Sequence, residues 1–300
     1  MKDFKHFGIK QRKFPKKNYN AIWYNLKTLR LGTGVAEELD YPEFYDVAIT
    51  SRCNLECPFC YVSALKTGGD YTDIVGKANF FFGQMNENER PFQIAIGSTG
   101  EPTLHSEFCD FLETVYNLGI VPNYTTNGTI LSRNSEHTDK LLEYTNKYVG
   151  GVALSANYFN IKIEQTWKQA FRNLADRGNT NINLHFIISN KASVDKFLQY
   201  YSEYKDDILY FVLLPLMSSG RSSQKYDEQA FKYLLEQDLD WSKIAFGAHF
   251  YNSLCEQDKV KCYLYPPESL SKNLILDDII KVTPSSFNLN PIKEIKYEKM

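Results

Sequence analysis

Six apolar runs, each long enough for a β-strand, recur at nearly even intervals along this chain of 300 residues. They begin near Tyr45, Phe92, Val121, Val149, Ile182 and Leu209. After the first gap the interval is about 30 residues, the length of one strand–helix unit in a parallel barrel. Each run is almost continuously apolar, as expected for strands of a parallel sheet that is covered on both faces. The spacing therefore predicts an α/β fold.

Helical patterns fill the intervals between these runs. We predict helices over residues 73–85, 106–118, 135–147, 161–177 and 193–204. Six strand–helix units between Tyr45 and about Glu236 are fewer than the eight of a complete barrel, so we expect an open, partial (β/α)6 barrel of the TIM type. No low-complexity linker divides the chain. We therefore assign a core barrel to residues 44–237, an N-terminal extension to 1–43 and a C-terminal extension to 238–300.

Glycine-rich and polar segments follow the predicted strands. In parallel α/β folds, the loops after the carboxyl ends of the strands carry the functional groups. The segments, in chain order, are CNLECPFC (53–60), GSTGEPTL (97–104), TTNGT (125–129), LSANY (154–158), SN (189–190) and PLMSSG (215–220). All six are therefore predicted to share one rim of the barrel.

Three of the six cysteines, Cys53, Cys57 and Cys60, stand together in the first of these segments. Three thiolates can hold a four-iron cluster and leave one iron open for chemistry, whereas a closed structural zinc site uses four ligands. A zinc site would need a distant fourth ligand, for which the candidates are His105, Cys109, Cys255 and Cys262. A thioredoxin-like dithiol of Cys57 and Cys60 would leave Cys53 unexplained. The pattern favours an iron–sulfur enzyme.

The CxxxCxxC spacing, with Phe59 just before the last cysteine, resembles the cluster motif of radical SAM enzymes, and TGEP at 99–102 is similar to their GGEP motif. The resemblance covers roughly residues 45–220. It implies that Cys53, Cys57 and Cys60 ligate three irons of a [4Fe–4S] cluster and that S-adenosylmethionine (SAM) chelates the fourth. It also implies that a reductant such as flavodoxin or ferredoxin supplies an electron that cleaves SAM. The resulting 5′-deoxyadenosyl radical would abstract a substrate hydrogen, while the protein orients the cofactors and excludes water.

The resemblance assigns further residues to the surroundings of SAM. They are Gly100, Glu101 and Pro102 for the methionine amino group, Asn127 and Ser155 for the ribose or carboxylate, and Phe59 and Pro215 for the adenine. The chain departs from the family at Thr99, which replaces the first glycine of GGEP. A β-branched residue adopts a positive φ only at a cost, so we expect this turn to differ in detail.

Composition and charge bear on the partners of the chain. The net charge of −2 gives no overall attraction to nucleic acid or to acidic membranes. The first residues form no apolar leader, and the longest apolar run, residues 208–217, is about half of a membrane span. We therefore expect a cytoplasmic protein. Basic residues are concentrated in the first 17 positions, which predicts a solvated arm or an edge that attracts an anionic partner.

Several questions stay open at the level of sequence. The substrate can be a small molecule, a nucleoside or a peptide, because specificity in this architecture comes from variable rim loops. Two alternatives are an activase that installs a glycyl radical on a partner protein, and a non-catalytic binding module stabilised by zinc or an iron–sulfur cluster. Cys255 and Cys262, even with Cys109, supply fewer than the four thiolates usual for an auxiliary cluster. PLMSSGR at 215–221 is loosely similar to a segment of peptide-modifying and molybdopterin-pathway members.

Overall fold

The computed structural model describes residues 9–12, 22–25, 30–33, 42, 44–87, 89–156, 158–247, 250, 271–285 and 288–299. The strands are β1 Ile9–Arg12, β2 Ile22–Asn25, β3 Arg30–Thr33, β4 Phe44–Ala48, β5 Gln93–Ile96, β6 Val121–Thr126, β7 Gly151–Ser155, β8 Ile182–Ile188, β9 Tyr210–Pro215, β10 Ile244–Phe246, β11 Ser271–Leu276, β12 Ile279–Thr283 and β13 Lys293–Lys296. The helices are α1 Ile74–Gly83, α2 Phe108–Asn117, α3 Glu136–Tyr148, α4 Ile161–Asp176, α5 Lys191–Tyr204 and α6 Glu228–Leu235.

Ten of these strands form one sheet in the order β10-β9-β8-β7-β6-β5-β4-β11-β12-β13. Neighbours from β4 to β10 pair in parallel, and a helix follows each strand from β4 to β9. The order of the described strands has two ends, so the sheet does not close on itself. The predicted α/β fold with a partial (β/α)6 barrel is therefore confirmed.

The two ends of the chain add strands of a different kind. β11 pairs in parallel with β4, and β12 and β13 then continue the sheet as antiparallel strands. β1, β2 and β3 form a separate three-stranded antiparallel sheet. Within the described residues, none of the helices combines the length and the apolar composition that a membrane span requires.

The hydrophobic core lies between the barrel strands and their helices. Tyr45 of β4 packs edge-to-face on Phe81 and Phe82 of α1, with ring centroids 5.8 and 5.9 Å apart. Tyr124 of β6 packs in the same way on Phe108 of α2. Because successive side chains of a strand alternate between its two sides, the residues between these core residues point away from the helices. We call the helix-covered side of the sheet its outer face and the opposite side its inner face.

Helix α5 begins at Lys191, two residues before the predicted start at residue 193. The reason is a capping box around Asn190, whose Oδ1 accepts a hydrogen bond from the N–H of Ser193 at 3.1 Å. In return, Ser193 Oγ accepts one from the N–H of Asn190 at 3.1 Å. Ser193 therefore lies inside the helix, and Asn190 is the capping residue.

The parallel arrangement places the functional loops. The carboxyl ends of β4 to β9 lie at the same edge of the sheet, as the spacing of the apolar runs predicts. β5 pairs with both β4 and β6, so the loops after these three strands are direct neighbours. Asn157, Cys255, Cys262 and the predicted basic arm, apart from residues 9–12, lie outside the described residues.

Candidate active site

The loop after β4 carries Cys53, Cys57 and Cys60 as free, half-buried thiols. The N–H of Cys60 donates a hydrogen bond to the carbonyl of Cys57 at 3.2 Å, so these two cysteines share a turn. The N–H of Cys53 donates to the carbonyl of Leu65 at 3.0 Å, which ties the start of the loop to its return. The loop is therefore held by its own backbone.

Burial disfavours the charged form of two of these thiols, Cys57 and Cys53. It raises the pKa of Cys57 to about 12, and the neighbouring Cys53 and Cys60 add to this effect. Burial also raises the pKa of Cys53. Ionised thiolates in this loop consequently need a compensating positive charge, which bound metal ions provide when they displace the thiol protons.

The loop after β9 is fastened to the cysteine loop. The N–H of Arg221 donates to the carbonyl of Cys60 at 2.9 Å, and its guanidinium donates to the carbonyl of Cys57 at 3.0 Å and to that of Ala64. Gly220 has a φ of +63°, and a Cβ at this position would lie 2.1 Å from the carbonyl oxygen of Cys60. Only glycine allows the two backbones to approach this closely.

Glu101 joins the loop after β5 to the loop after β6. Its side chain is almost fully buried, and Oε1 accepts from the N–H of Thr103 at 3.2 Å, from its hydroxyl at 2.5 Å and from the Thr126 hydroxyl at 2.7 Å. Oε2 accepts from the N–H of Asn127 at 2.7 Å. Burial raises the pKa of Glu101, and these donors oppose the rise. The carboxylate is therefore occupied by protein donors and serves to position the two loops.

The TGEP turn presses against the backbone that leads into the cysteines. A Cβ on Gly100 would lie 2.5 Å from the carbonyl oxygen of Arg52 and 2.7 Å from that of Thr50. Neither Thr99 nor Gly100 has a positive φ. Thr99 Oγ1 instead donates to the carbonyl of Thr50 at 2.6 Å. The threonine is thus accommodated without backbone strain, and the glycine that close approach requires is Gly100.

Asn127 connects the loop after β6 to the cysteines. Its Nδ2 donates to Asn54 Oδ1 at 2.9 Å and lies 3.9 Å from Cys53 Sγ. Its Oδ1 accepts from the N–H of Thr129 at 2.9 Å and from the hydroxyl of the same residue at 2.7 Å. The amide is therefore held in one orientation, with its N–H group towards the sulfur.

The other residues predicted to surround SAM lie on the same rim. Phe59 packs edge-to-face on Phe159, with ring centroids 5.6 Å apart. Ser155 ends β7 with a half-buried hydroxyl on the inner face, and Pro215 is buried at the end of β9. Residues at the carboxyl ends of four strands, β5, β6, β7 and β9, thus lie on the rim with the cysteines.

Sequence reasoning missed an ion pair that braces the cysteine loop. Arg52 lies 2.5 Å from Asp70 and also donates to the carbonyl of Leu104 at 2.9 Å. The Thr50 hydroxyl donates to the same carboxylate at 2.7 Å. Burial acts to raise the pKa of Asp70, but the hydrogen bonds from Arg52 and Thr50 outweigh it and lower the pKa. Nothing in the sequence links Arg52 to a carboxylate 18 positions later.

The available donor groups distinguish the two kinds of metal site that the sequence allows. Among the described residues, no three His, Cys, Asp or Glu side chains converge as the ligands of one ion would. Thiolates that bind separate irons of one cluster need not converge. His105 has both ring nitrogens engaged, with Tyr71 and Glu107, and Cys109 belongs to the hydrophobic core. Within the described residues, neither of these candidates is available as the fourth ligand of a zinc ion, and three thiols match a cluster with one open iron. Cys255 and Cys262 lie outside these residues.

Ser98 adds a polar atom that the protein itself leaves unused. It lies in the segment just before TGEP, and its Oγ is buried without a hydrogen-bond partner among the described residues. The carbonyl of the same residue accepts from the hydroxyl of Tyr61, which follows the last cysteine, at 2.7 Å. A buried hydroxyl without a partner is suited to a polar ligand group.

Comparison with known families gives one match over the core. The family model of the Radical SAM superfamily matches residues 47–201, which is just over half of the chain. The matched range runs from β4 into α5 and contains all three cysteines of the loop and the TGEP turn.

Two curated relatives match over shorter stretches. The tungsten-containing aldehyde ferredoxin oxidoreductase cofactor-modifying protein of Pyrococcus furiosus is 29% identical over 123 residues, which are 39% of this chain and 30% of the relative. The 7,8-dihydro-6-hydroxymethylpterin dimethyltransferase of Methanocaldococcus jannaschii is 24% identical over 98 residues, which are 33% of this chain and 19% of the relative. The chain spans less than a third of the length of these relatives.

Solved structures share the fold over most of the chain. Streptococcus suis SuiB bound to S-adenosylmethionine superposes with a TM-score of 0.65 and 13% identity, and covers 92% of this chain and 81% of SuiB. SuiB bound to its precursor peptide SuiA superposes with a TM-score of 0.64 and 17% identity, over 87% of this chain and 64% of SuiB. At these identities the likeness is one of fold.

Proposed function

The chain belongs to the radical SAM superfamily, and from this premise we propose that Cys53, Cys57 and Cys60 bind three irons of a [4Fe–4S] cluster and leave the fourth iron to SAM. The observation that carries the proposal is the position of three free thiols in one loop, at the carboxyl edge of the sheet and beside the TGEP turn. When both are bound, the cluster would supply the electron that cleaves SAM into methionine and a 5′-deoxyadenosyl radical. This radical would abstract a hydrogen atom from the substrate.

The residues around the thiols stabilise the charged loop. The N–H group of Asn127 faces Cys53 Sγ, and the guanidinium of Arg221 acts to lower the pKa of Cys57. Hydrogen bonds to sulfur and nearby charges set the reduction potential of an iron–sulfur cluster. We therefore assign Asn127 and Arg221 to the tuning of the cluster rather than to contact with the substrate.

The TGEP turn offers its backbone, and not its carboxylate, to SAM. All four hydrogen bonds of Glu101 go to protein donors, so Glu101 acts as a positioning residue. Gly100 keeps the turn against the backbone that follows β4, and Pro102 is buried two residues later. The free hydroxyl of Ser98 is nearby in sequence. A positively charged methionine amino group would find backbone carbonyls here, as the resemblance implies.

The rim positions provide the remaining SAM contacts in this proposal. Phe59 presents an aromatic surface for the adenine, and Pro215, which is buried at the end of β9, would approach that base only through its backbone. Ser155 supplies a hydroxyl for the ribose or the carboxylate. Asn127 would contribute to the SAM site through its backbone and through the fixed position of its amide, because both Nδ2 and Oδ1 already have protein partners.

The reductant and the substrate define the rest of the reaction. One electron for each cleavage would come from a small electron carrier such as flavodoxin or ferredoxin. The substrate is a small molecule, a nucleoside or a peptide. One relative is named for cofactor modification and another for methylation of a pterin, and SuiB has been solved with a precursor peptide. A pterin and a peptide therefore belong in any substrate panel.

Anaerobic reconstitution followed by a cleavage assay tests the proposal. The wild-type protein should bind about four irons and four sulfides and should release 5′-deoxyadenosine from SAM when a reductant is added. Cys57→Ala should lose both properties, whereas Cys109→Ala, which removes a core thiol, should keep the iron content. A fully loaded cluster that never cleaves SAM would contradict the proposal. One zinc per chain without sulfide would instead identify a zinc-stabilised binding module.

A further inference from the structure

The inner face of the barrel is accessible, whereas its outer face is sealed. In β5, β8 and β9 the inner-face residues are half-buried, and every residue between them is buried. β4 and β6 follow the same alternation over most of their length. On β7 only Ser155 of the inner face is half-buried, whereas Gly151 and Ala153 are buried. The partial exposure of the inner-face residues on the other strands shows that open space lies next to them.

The composition of the inner face explains this space. A closed barrel normally fills its interior with layers of bulky branched side chains. Here small residues stand between the polar ones: Ala95 pairs with both Asp46 and Asn123, and Ala153 pairs with Asn183. Next to Ala95 and Ala153 the interior is therefore not filled by the bulky branched side chains of a closed barrel.

Three acceptor groups of the inner face lack a donor among the described residues. Asn123 Nδ2 donates to Gln93 Oε1 at 2.8 Å, which leaves Asn123 Oδ1 buried and unpartnered. Asn183 Oδ1 is likewise buried and unpartnered. No described residue donates a hydrogen bond or forms an ion pair with the carboxyl group of Asp46. A buried acceptor that remains without a donor destabilises the fold, so a ligand that supplies donors gains free energy on binding.

The charge of the inner face points to the same kind of ligand. Among the inner-face positions of β4 to β9, Asp46 is the acidic residue, and no lysine or arginine is present. The other titratable side chains at these positions are His185 and Tyr210. Lys281 and Glu294 share this face only beyond β11, where they pair with each other across β12 and β13. Burial lowers the pKa of His185 to about 4, so the imidazole is neutral at neutral pH and does not repel a cation. Burial also raises the pKa of Asp46 to about 7, because it disfavours the charged carboxylate. A cation bound beside the carboxylate would favour its charged form and so oppose this effect.

We propose that the inner face binds a cationic hydrogen-bond donor of the substrate, a primary ammonium or a guanidinium group, with Asp46 as its counter-ion and Asn123 and Asn183 as neutral acceptors. Asp46 and Asn123 lie in one row across the sheet, on either side of Ala95 of β5. Asn183 lies on β8, two strands beyond β6. The three acceptors thus come from three different strands of the same face. The inference rests on the proposed function only in taking the interior below the cysteine loop as the place of the substrate.

Binding of matched charged and neutral probes tests this assignment. The probes are n-butylammonium against n-butanol, methylguanidinium against methylurea, and acetyl-Gly-Lys-Gly-amide against the same peptide with norleucine. Their affinities are measured by ligand-observed NMR on the anaerobic holoprotein with SAM and without reductant, at pH 8 where Asp46 is ionised. At least one charged probe should bind ten-fold or more tightly than its neutral counterpart. A preference confined to the peptide would identify a peptide side chain as the source, and one shared by the free amines would identify a small amine.

Two variants separate a local effect from a global one. Asp46→Asn keeps the shape of the side chain and should remove the preference for the charged probe. Asp176→Asn removes one negative charge from the exposed end of α4 and should leave the preference unchanged. Equal binding of charged and neutral probes to the wild-type protein, or no binding of any probe, would overturn the proposal whether or not the variants fold. So would a preference that survives in Asp46→Asn. Because no reductant is present, a failure here is distinct from a failure to cleave SAM.

Discussion

Glu101 Oε2 accepts a hydrogen bond from the backbone N–H of Asn127 at 2.7 Å, and this contact joins two neighbouring loops at the carboxyl edge of the sheet. One loop contains the TGEP turn, and the other carries the amide that faces Cys53. Because the carboxylate is buried and fully bonded, the relative position of the two loops depends on it. The acidic residue of the motif therefore has a positioning role.

Replacing Glu101 by Gln should destabilise the protein. Glutamine has one acceptor oxygen where glutamate has two, so its amide nitrogen must face a donor inside the protein. The expected loss in the free energy of unfolding is about 1–3 kcal/mol, measured by urea unfolding of the apoprotein. Glu56→Gln is the matched control, because Glu56 is exposed in the cysteine loop and pairs with Lys66 only at 3.8 Å. Equal stability of the two variants would contradict the positioning role.

Replacing Asn127 by Asp should make the cluster harder to reduce. The substitution keeps the size of the side chain but puts a negative charge where an N–H group now faces Cys53 Sγ. Negative charge near a cluster sulfur disfavours the reduced state, so the reduction potential should become more negative. Asn134→Asp adds the same charge at an exposed position and should leave the potential unchanged in the same electrochemical titration.

Replacing Gly220 by Ala should reduce the iron content of the reconstituted protein. The new Cβ would collide with the carbonyl of Cys60 and displace the cysteine loop. Gly178→Ala is a close control, because Gly178 also has a positive φ, of +79°, but nothing lies within 4 Å of its Cβ position. Both variants should lose about 1 kcal/mol to backbone strain, but only Gly220→Ala should bind less iron. The same iron content in both would show that the contact with Cys60 is dispensable.

Asp46 should make stability depend on pH. Burial raises its pKa in the folded state from the ordinary 3.8 to about 7, so the folded protein holds a proton that the unfolded chain releases. The stability that this proton confers is fully present below about pH 4 and is lost as the pH rises to about 7. Asp46→Asn should therefore gain stability relative to the wild type between pH 5 and pH 8. If the urea midpoints of the two proteins differ by the same amount at every pH in this range, the pKa of Asp46 is not raised.

The fold followed from the sequence because its signals are local and repeated. Apolar runs at regular intervals predict parallel strands, and the observed strands begin within two residues of each predicted run, at Phe44, Gln93, Val121, Gly151, Ile182 and Tyr210. The start of α5 was wrong by two residues, since the pattern around Ser193 did not reveal Asn190 as the cap. The cysteine spacing and TGEP were sufficient to identify the family.

The contacts that hold the site did not follow from the sequence. The pair of Arg52 with Asp70, and the bonds from Arg221 to the cysteine loop, join positions that are distant along the chain and lack a spacing rule. The role of Asp46 depends on which side of β4 it faces and on its neighbours across the sheet. The apolar run that predicts β4 does not show which side of the strand Asp46 faces or which residues lie beside it. Such relationships arise only from tertiary structure.

Electron paramagnetic resonance of the reduced holoprotein, recorded with and without SAM that carries an isotopic label on its amino nitrogen, tests the central claim most directly. If Cys53, Cys57 and Cys60 hold a [4Fe–4S] cluster with one open iron, SAM should change the spectrum and the labelled nitrogen should show a hyperfine coupling to the cluster. The Cys57→Ala variant should show neither. A reduced [4Fe–4S] signal that SAM leaves unchanged, without coupling to the label, would contradict the account.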